Sequence, residues 1–361
     1  MSRKLRVMHL MGAAGPGGAE TFFIRLMEGL HKRDEVELLP VVRKGSWAAG
    51  RLQALGIPHE EAGFGGWLDW RTGARVKRVA EGFGADIVQG WMNRATRFMP
   101  EGKWRKVARL GGYYKLKNYF GKVDYLIANT EDIARYCKDG GWPEGRVNVI
   151  GNFIPSPPDG WQVRREAARA AWGIPADATV LLMSGRLHAV KGVDVALRAL
   201  AVLPEHVWLL LAGEGRERVA LEKLAADLGV APRVVFAGWQ DEVDTAAAAA
   251  DIWLAPSRVE PLGNTVLDGW AHGLPVIASK TVGPLGLMED GRTGLLVAVD
   301  DAGALGAAVT QLLEDGTLAG KLAKAGHKVF ASRYSEDVVV GDYVGYYANL
   351  VGKGLKREVS E

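Results

Sequence analysis

Apolar runs of strand length recur from one end of the chain to the other, each followed by a helix-length amphipathic stretch. They read LRVMHLM, VELLPVV, ADIVQGW, KVARL, DYLIAN, ATVLLMSG, HVWLLLAG, RVVFAG, DIWLAPS, LPVIAS and TGLLVAV. A strand that is apolar at nearly every position has no face to give to water. Such strands belong to parallel sheets with helices on both faces, because parallel neighbours need crossovers and the crossovers are helices. The rhythm breaks at NFIPSPPDGWQ, residues 152–162, where prolines and a glycine interrupt it. At 361 residues the chain is too long for one ordinary core. We therefore expect an α/β protein of two doubly wound Rossmann-like domains facing a cleft, spanning 1–155 and 162–334. The closing segment, 335–361, carries a valine and tyrosine face in YSEDVVVGDYVGYYANLVG that needs burial. It is expected to pack back on the first domain.

Composition narrows the setting. Hydrophobic residues make up 48% and charged residues 24%, the balance of a globular protein. No apolar run reaches the ~18 residues of a membrane-spanning helix. The start, MSRKLRVMHLMG, reads as a first buried strand and not as a signal peptide. Cys137 stands alone, so no disulfide framework or cysteine metal cluster is available. These features predict a cytoplasmic protein. Residues 1–150 carry 25 Lys and Arg against 16 Asp and Glu, whereas the remainder carries 20 against 26. A basic first half beside an acidic second half points to an anionic partner for the first.

The glycine-rich loops exclude two common chemistries. GAAGPGGAET, residues 12–21, follows the first strand but lacks G-x-G-x-x-G spacing, and the second strand ends in Arg43 and Lys44 where an acid would be needed. The loop also lacks Gly-Lys-Ser/Thr, so it is no P-loop. It still offers backbone N–H groups at a helix start, as a plain strand-to-helix turn also would. In the second half, SGRLHAVKG places Arg186 and Lys191 at the carboxyl end of a strand, where open parallel sheets bind ligands. Arg with its planar fork and Lys as a point charge suit a diphosphate, although a pair of solvated surface cations would look the same.

The stretch EPLGNTVLD, residues 260–268, adds carboxylates to those cations. A strand ends near Pro256, and the helix is expected to begin near Leu262. Gly263, Asn264 and Thr265 would then offer free backbone N–H groups at a positive helix end. Glu260 precedes that turn, and Asp268 lies on the side of the helix, within reach of hydroxyls along it. Singly, Glu260 reads as a charge favouring the helix dipole and Asp268 as an exposed helix residue. Together the set suits a nucleotide sugar: cations and N–H groups for the diphosphate, carboxylates for sugar and ribose hydroxyls.

These residues resemble a GT-B glycosyltransferase of the retaining family-4 type. The resemblance runs through GPGGAE, GRLHAVKGVD, LAGEG, VVFAGW, SRVEPLGNTVLDGWAHGLPVIAS, GPLGLMEDGRTGLLV and a closing RYS…YVGYY helix. It implies that Glu260 contacts the transferred sugar, that Gly263, Asn264 and Thr265 supply N–H groups to phosphate and sugar, and that Asp268 holds the ribose hydroxyls. It further implies that Arg186 and Lys191 neutralise the diphosphate, and that Gly17 and Gly18 belong to a first-domain loop closing over the donor. Asp268 departs from the family's usual Glu by one methylene. No histidine stands where many relatives place one after a first-domain strand, here VARLGGYY or IVQGWMN. His9 reads as core, and His272 as facing the packed side of its helix.

The expected activity is transfer of a hexose-type unit from a nucleotide diphosphate donor to a hydroxyl of a lipid-linked or lipopolysaccharide-core acceptor, with retention. The resemblance implies no metal and no cofactor beyond the donor itself. A nucleotide-sugar epimerase on the same fold would rely on acid–base carboxylates and histidines placed for elimination, and the expected cleft is short of histidine. A non-catalytic sugar-nucleotide-binding protein would have no need of leaving-group cations. Residues 91–122 carry nine basic residues, Arg94, Arg97, Lys103, Arg105, Lys106, Arg109, Lys115, Lys117 and Lys122, against Glu101 alone. Trp91, Phe98, Trp104, Tyr113, Tyr114, Tyr119 and Phe120 are interleaved with them. Basic charge with exposed aromatics predicts peripheral attachment to an anionic membrane, on the inner face of the cytoplasmic membrane, although a solvated basic face with its aromatics in the core would carry the same residues. No recognition module for nucleic acid accompanies the charge.

Overall fold

The computed structural model describes residues 3–66, 69–240 and 243–352. Two compact units divide the chain between Phe153 and Ile154 and again between Ser335 and Glu336. The first unit holds a seven-stranded sheet: β1 (Leu5–Met11), β2 (Val36–Arg43), β3 (Glu60–Ala62), β4 (Ile87–Trp91), β5 (Arg105–Leu110), β6 (Tyr125–Ala128) and β7 (Val147–Val149). The second holds six strands: β8 (Thr179–Ser184), β9 (Val207–Ala212), β10 (Val234–Gly238), β11 (Ile252–Ala255), β12 (Val276–Ser279) and β13 (Leu295–Val297). Their orders are β3-β2-β1-β4-β5-β6-β7 and β10-β9-β8-β11-β12-β13. Every pair is parallel. Each sheet therefore reverses its winding once, between β1 and β4 in the first unit and between β8 and β11 in the second.

Burial explains why the strands are apolar throughout. Leu5, Val7 and Met11 of β1 enter one hydrophobic cluster, whereas Met8 and Leu10 enter another on the opposite face. β8 repeats this, with Leu181 and Met183 on one side and Val180 and Leu182 on the other. A period of two with both faces covered leaves no position for a polar side chain. Arg6 lies half-buried near the start of β1, and His9 is its fully buried polar residue. Its Nδ1 accepts a hydrogen bond from the Trp91 indole at 3.0 Å, and its Nε2 lies 3.4 Å from the Tyr347 hydroxyl. Burial lowers its pKa to about 3, so the ring is neutral, with a lone pair facing the indole N–H.

The helix Glu336–Leu350 completes the first unit from the far end of the sequence. Val339, Val340, Tyr343, Val344 and Tyr347 are buried in the cluster formed by β1 and the helix Gly18–His31. Arg33 pairs with Asp337 at 2.6 Å, and Arg109 donates to the Tyr343 hydroxyl at 2.9 Å. The part of the expected closing helix at 353–361 lies outside the described residues.

Two expectations are corrected here. Strands β3 and β7, three residues each, are absent from the apolar runs because they are short and Ala62 alone of their six residues is buried. The aromatics of residues 91–122 are mostly core: Trp91, Phe98, Trp104 and Tyr119 are buried, Tyr114 is half-buried, and Tyr113 and Phe120 are exposed. Arg109 is also buried, stacked between Phe22 and Trp91 and donating to Asn152 Oδ1 at 2.5 Å. It is a packing element of the first unit and no part of a surface charge.

Candidate functional site

In the second unit the loops that leave β8 and β11 diverge from adjacent strands in opposite windings. Such a switch point opens a crevice at the carboxyl ends of the strands. Arg186, Lys191, Ser257 and Thr265 line one pocket there. Arg186 follows β8 after Gly185 and is exposed, with no side-chain hydrogen bond or ion pair among the described residues. Lys191 closes a short 3-10 turn, and Gly192, at φ +67°, starts the next helix. A Cβ on Gly192 would lie 2.1 Å from the Pro256 carbonyl oxygen. Only glycine lets the Lys191 loop pass that close to the end of β11.

The contact brings Lys191 to Glu260. Lys191 Nζ donates to Glu260 Oε2 at 2.7 Å, and Gly263 N–H donates to Glu260 Oε1 at 3.2 Å. The Glu260 side chain is 9% exposed and that of Lys191 24%. Gly283 N–H, from the GPLGL segment, holds the Glu260 carbonyl at 2.8 Å. The helix begins at Asn264, two residues beyond the expected start, because Gly263 takes φ +75° as its N-cap. The Gly263 N–H is therefore engaged by Glu260 and is not free, a correction to the expected row of open donors. Thr265 Oγ1 is buried without a hydrogen-bond partner among the described residues. A buried hydroxyl left unpaired in a pocket beside two cations suits an anionic oxygen as its acceptor.

Asp268 is half-buried on the side of the same helix, and its main-chain carbonyl accepts from His272. His272 is buried as anticipated, its Nε2 2.9 Å from Asp244 and its ring stacked on Trp253. Gly17 and Gly18 lie in the first unit, at the cap and first residue of the helix Gly18–His31.

Arg258 escaped the sequence reading. Its guanidinium grips both oxygens of Asp194, at 2.9 and 2.8 Å, and reaches Asp300 at 2.6 Å. The Arg258 bond holds the Asp194 carboxyl below the usual carboxylate range, and the same bond raises the guanidinium. Arg258 N–H also donates to the Val190 carbonyl at 2.8 Å. One side chain thus ties the loop bearing Lys191 to the loop bearing Glu260. Both Arg258 and Asp194 sit inside the motifs SRVEP and KGVD, but their pairing across 64 residues has no local signature.

The site can place two cations and a hydroxyl around an anion, with a carboxylate beside them. Residues 164–329 match the family described as glycosyl transferases group 1. The chain is 36% identical over 335 residues, 92% of its length and 96% of the relative's, to the lipopolysaccharide core biosynthesis glycosyltransferase LpsE of Rhizobium meliloti (strain 1021). It is 34% identical to LpsD of the same organism, over 97% of this chain and all of that one. Among solved structures, Anabaena Alr3699/HepE in complex with UDP superposes with a TM-score of 0.83 at 20% identity, covering 96% of this chain and 100% of that one. WaaG, a glycosyltransferase involved in lipopolysaccharide biosynthesis, gives 0.66 at 21%, covering 94% and 99%. With relatives this similar along nearly their whole length, the chain belongs to the group 1 glycosyltransferases and is a glycosyltransferase built on two parallel-sheet domains of the GT-B fold.

Proposed function

We propose that the protein transfers a hexose-type sugar from a nucleoside diphosphate sugar to a hydroxyl of a lipid-linked or lipopolysaccharide-core acceptor, with retention of anomeric configuration, as family-4 transferases do. The observation that carries this reading is the Lys191–Glu260 pair at the switch point of the second sheet, with Arg186 in the same pocket. Before the donor arrives, Lys191 neutralises the carboxylate. A diphosphate in the pocket would draw on the same ammonium and on the Arg186 fork. As the glycosyl C–O bond breaks, its electron pair passes to the diphosphate oxygen, which both cations stabilise. The acceptor hydroxyl bonds to the anomeric carbon from the same face, and its proton passes to the departing oxygen. Glu260 faces the sugar and Asp268 the ribose hydroxyls. No protein nucleophile and no metal is required in this reading.

The relatives support the acceptor class, since LpsE and LpsD are named for lipopolysaccharide core biosynthesis. HepE was solved with UDP and also with UDP and glucose, which supports a nucleoside diphosphate sugar as donor. Attachment to the inner face of the cytoplasmic membrane fits the exposure of Lys103, Arg105, Lys115 and Lys117, and of Tyr113 and Phe120. Among the described residues no helix is long and apolar enough to cross a membrane.

The test is a thermal-shift screen with UDP-, GDP- and ADP-sugars, followed by turnover on bacterial lipid extracts and determination of the product's anomeric configuration. One donor should stabilise the protein and yield a retained glycoside. Isomerisation of the donor without acceptor would replace the transferase by an epimerase, and an inverted product would remove the retaining mechanism.

A further inference from the structure

The first sheet has its own switch point, between β1 and β4, and a second pocket opens beside it. Its volume is about 520 Å³, within the ~300–1,000 Å³ of small-ligand sites. Arg43 comes to it from the end of β2, Asn93, Arg94 and Arg97 from the turn after β4, and Asn118 with Lys122 from the segment after β5. Gly65 and Gly66, after β3, complete the wall. Arg94 is pressed against the end of β1: a Cβ on Gly12 would lie 3.0 Å from Arg94 Cγ.

Four cations share this pocket, and no acid is among its lining residues. Arg97 donates to the Gly65 and Gly66 carbonyls at 2.7 and 2.9 Å. The nearby Asp69 carboxylate is occupied by Gly65 N–H, Thr72 N–H and the Thr72 hydroxyl, at 2.7, 3.0 and 2.6 Å. Arg43, Arg94 and Lys122 have no carboxylate partner among the described residues. Like charges held together without a counterion repel, and an anionic ligand removes that cost. Asn93 Oδ1 is buried with no hydrogen-bond partner among the described residues, an acceptor waiting for a hydroxyl or amine donor.

The backbone is strained at the same place. Phe64 at φ +45° and Met92 at φ +57° are two of three non-glycine residues in the left-handed region among those described, and each directly precedes a pocket segment. Each costs of order 1–3 kcal/mol, and such strain concentrates at ligand sites.

We propose that this pocket binds a phosphate group carried by a sugar of the acceptor, with Arg43, Arg94 and Lys122 on the phosphate and Asn93 on a sugar hydroxyl. The assignment rests on the glycosyltransferase reading above. The two are tested separately by measuring binding apart from turnover.

Titration calorimetry with glucose 6-phosphate, in the presence of saturating UDP to fill the other pocket, is the binding arm. Wild type should bind the phosphate ester and not glucose. Arg94→Ala and Lys122→Ala should each weaken binding by about tenfold to a hundredfold, as loss of a charged hydrogen bond does. Lys103→Ala, an exposed cation outside the pocket, should bind as wild type does, and all variants should keep the wild-type thermal shift with UDP. In the turnover arm, phosphatase treatment of the lipid-extract acceptor should raise its KM for wild type, leave kcat unchanged, and add nothing in Arg94→Ala. Equal glucose 6-phosphate affinity in wild type and both variants would overturn the assignment. So would binding that appears only on phosphatidylglycerol vesicles, which would make the cations a lipid contact. If no donor is turned over at all, the activity falls while the calorimetry still decides the pocket.

Discussion

Replacing Lys191 by Met separates two roles that the Lys191–Glu260 pair holds together. The ammonium lies 2.7 Å from a carboxylate whose side chain is 9% exposed. At an effective dielectric of ~20 the direct attraction at that distance is about 6 kcal/mol. Most of it is offset by the desolvation of both ions, and Lys191 remains partly wet. The net loss should be nearer that of a hydrogen bond to a charged group, about 1–3 kcal/mol. Glu260 keeps the Gly263 N–H, which limits the damage. Glu260→Gln added to Lys191→Met removes the stranded charge, so the double variant should be more stable than Lys191→Met alone. Turnover should behave differently. If Lys191 acts on the departing diphosphate, Lys191→Met should lose roughly a hundredfold or more in kcat, and the second substitution should recover none of it. Urea midpoints at unchanged slope report the stability arm, and steady-state kinetics the other. A coupling below ~0.3 kcal/mol in the double-mutant cycle would mean that the pair contributes nothing in the free enzyme. Recovery of turnover in the double variant would mean that Lys191 serves Glu260 and not the leaving group.

Asp268→Ala should raise donor KM more than it lowers kcat, the pattern of lost uniform binding, while Asp268→Glu is tolerated; the opposite split would move Asp268 to the reacting sugar. His9 has its folded pKa depressed from 6.5 to about 3, so its stabilising effect is full above pH 6.5 and is lost as pH falls toward 3. The wild-type urea midpoint should fall over that window more steeply than that of His9→Gln, by about one proton's worth of slope; parallel curves would show that the ring protonates in place. Vesicle co-sedimentation should require anionic lipid, weaken with salt, and drop when Lys103, Arg105, Lys115 and Lys117 become Glu. Equal partitioning to neutral vesicles would remove the electrostatic attachment.

The architecture was legible because burial writes itself into sequence: strands covered on both faces must be apolar at most positions, and β1 and β8 are, with Arg6 and His9 the polar residues of β1 and Thr179 and Ser184 those at the two ends of β8. β3 and β7 were not, since EEA and VNV bury too little to leave a pattern. At the site, Arg186, Lys191, Glu260 and Thr265 could be singled out, and the structure gathers all but Glu260 around one pocket and bonds Glu260 to Lys191. The engagement of the Gly263 N–H could not be read, because it depends on a left-handed glycine and not on helix periodicity. Arg258 was invisible for another reason: its partners Asp194 and Asp300 come from distant loops. Arg109 did leave a signal. It shares a strand face with Val107, which is core, so alternation within β5 already pointed it inward.

The return of the helix Glu336–Leu350 to the first unit has a consequence for how the chain is made. Tyr343 and Tyr347 are fully buried in a core whose buried members outside this helix are all synthesised by the time Phe153 is reached. Between those two events the ribosome must produce the whole of the second unit. At ~5–20 residues per second that interval lasts roughly ten to forty seconds. During it the nascent first sheet exposes the apolar groove that the helix will fill, and the buried Arg109 lacks its tyrosine partner. The second unit, continuous in sequence, can complete itself first. Biogenesis therefore runs opposite to chain order, with the amino-terminal half last to close and most dependent on protection while it waits.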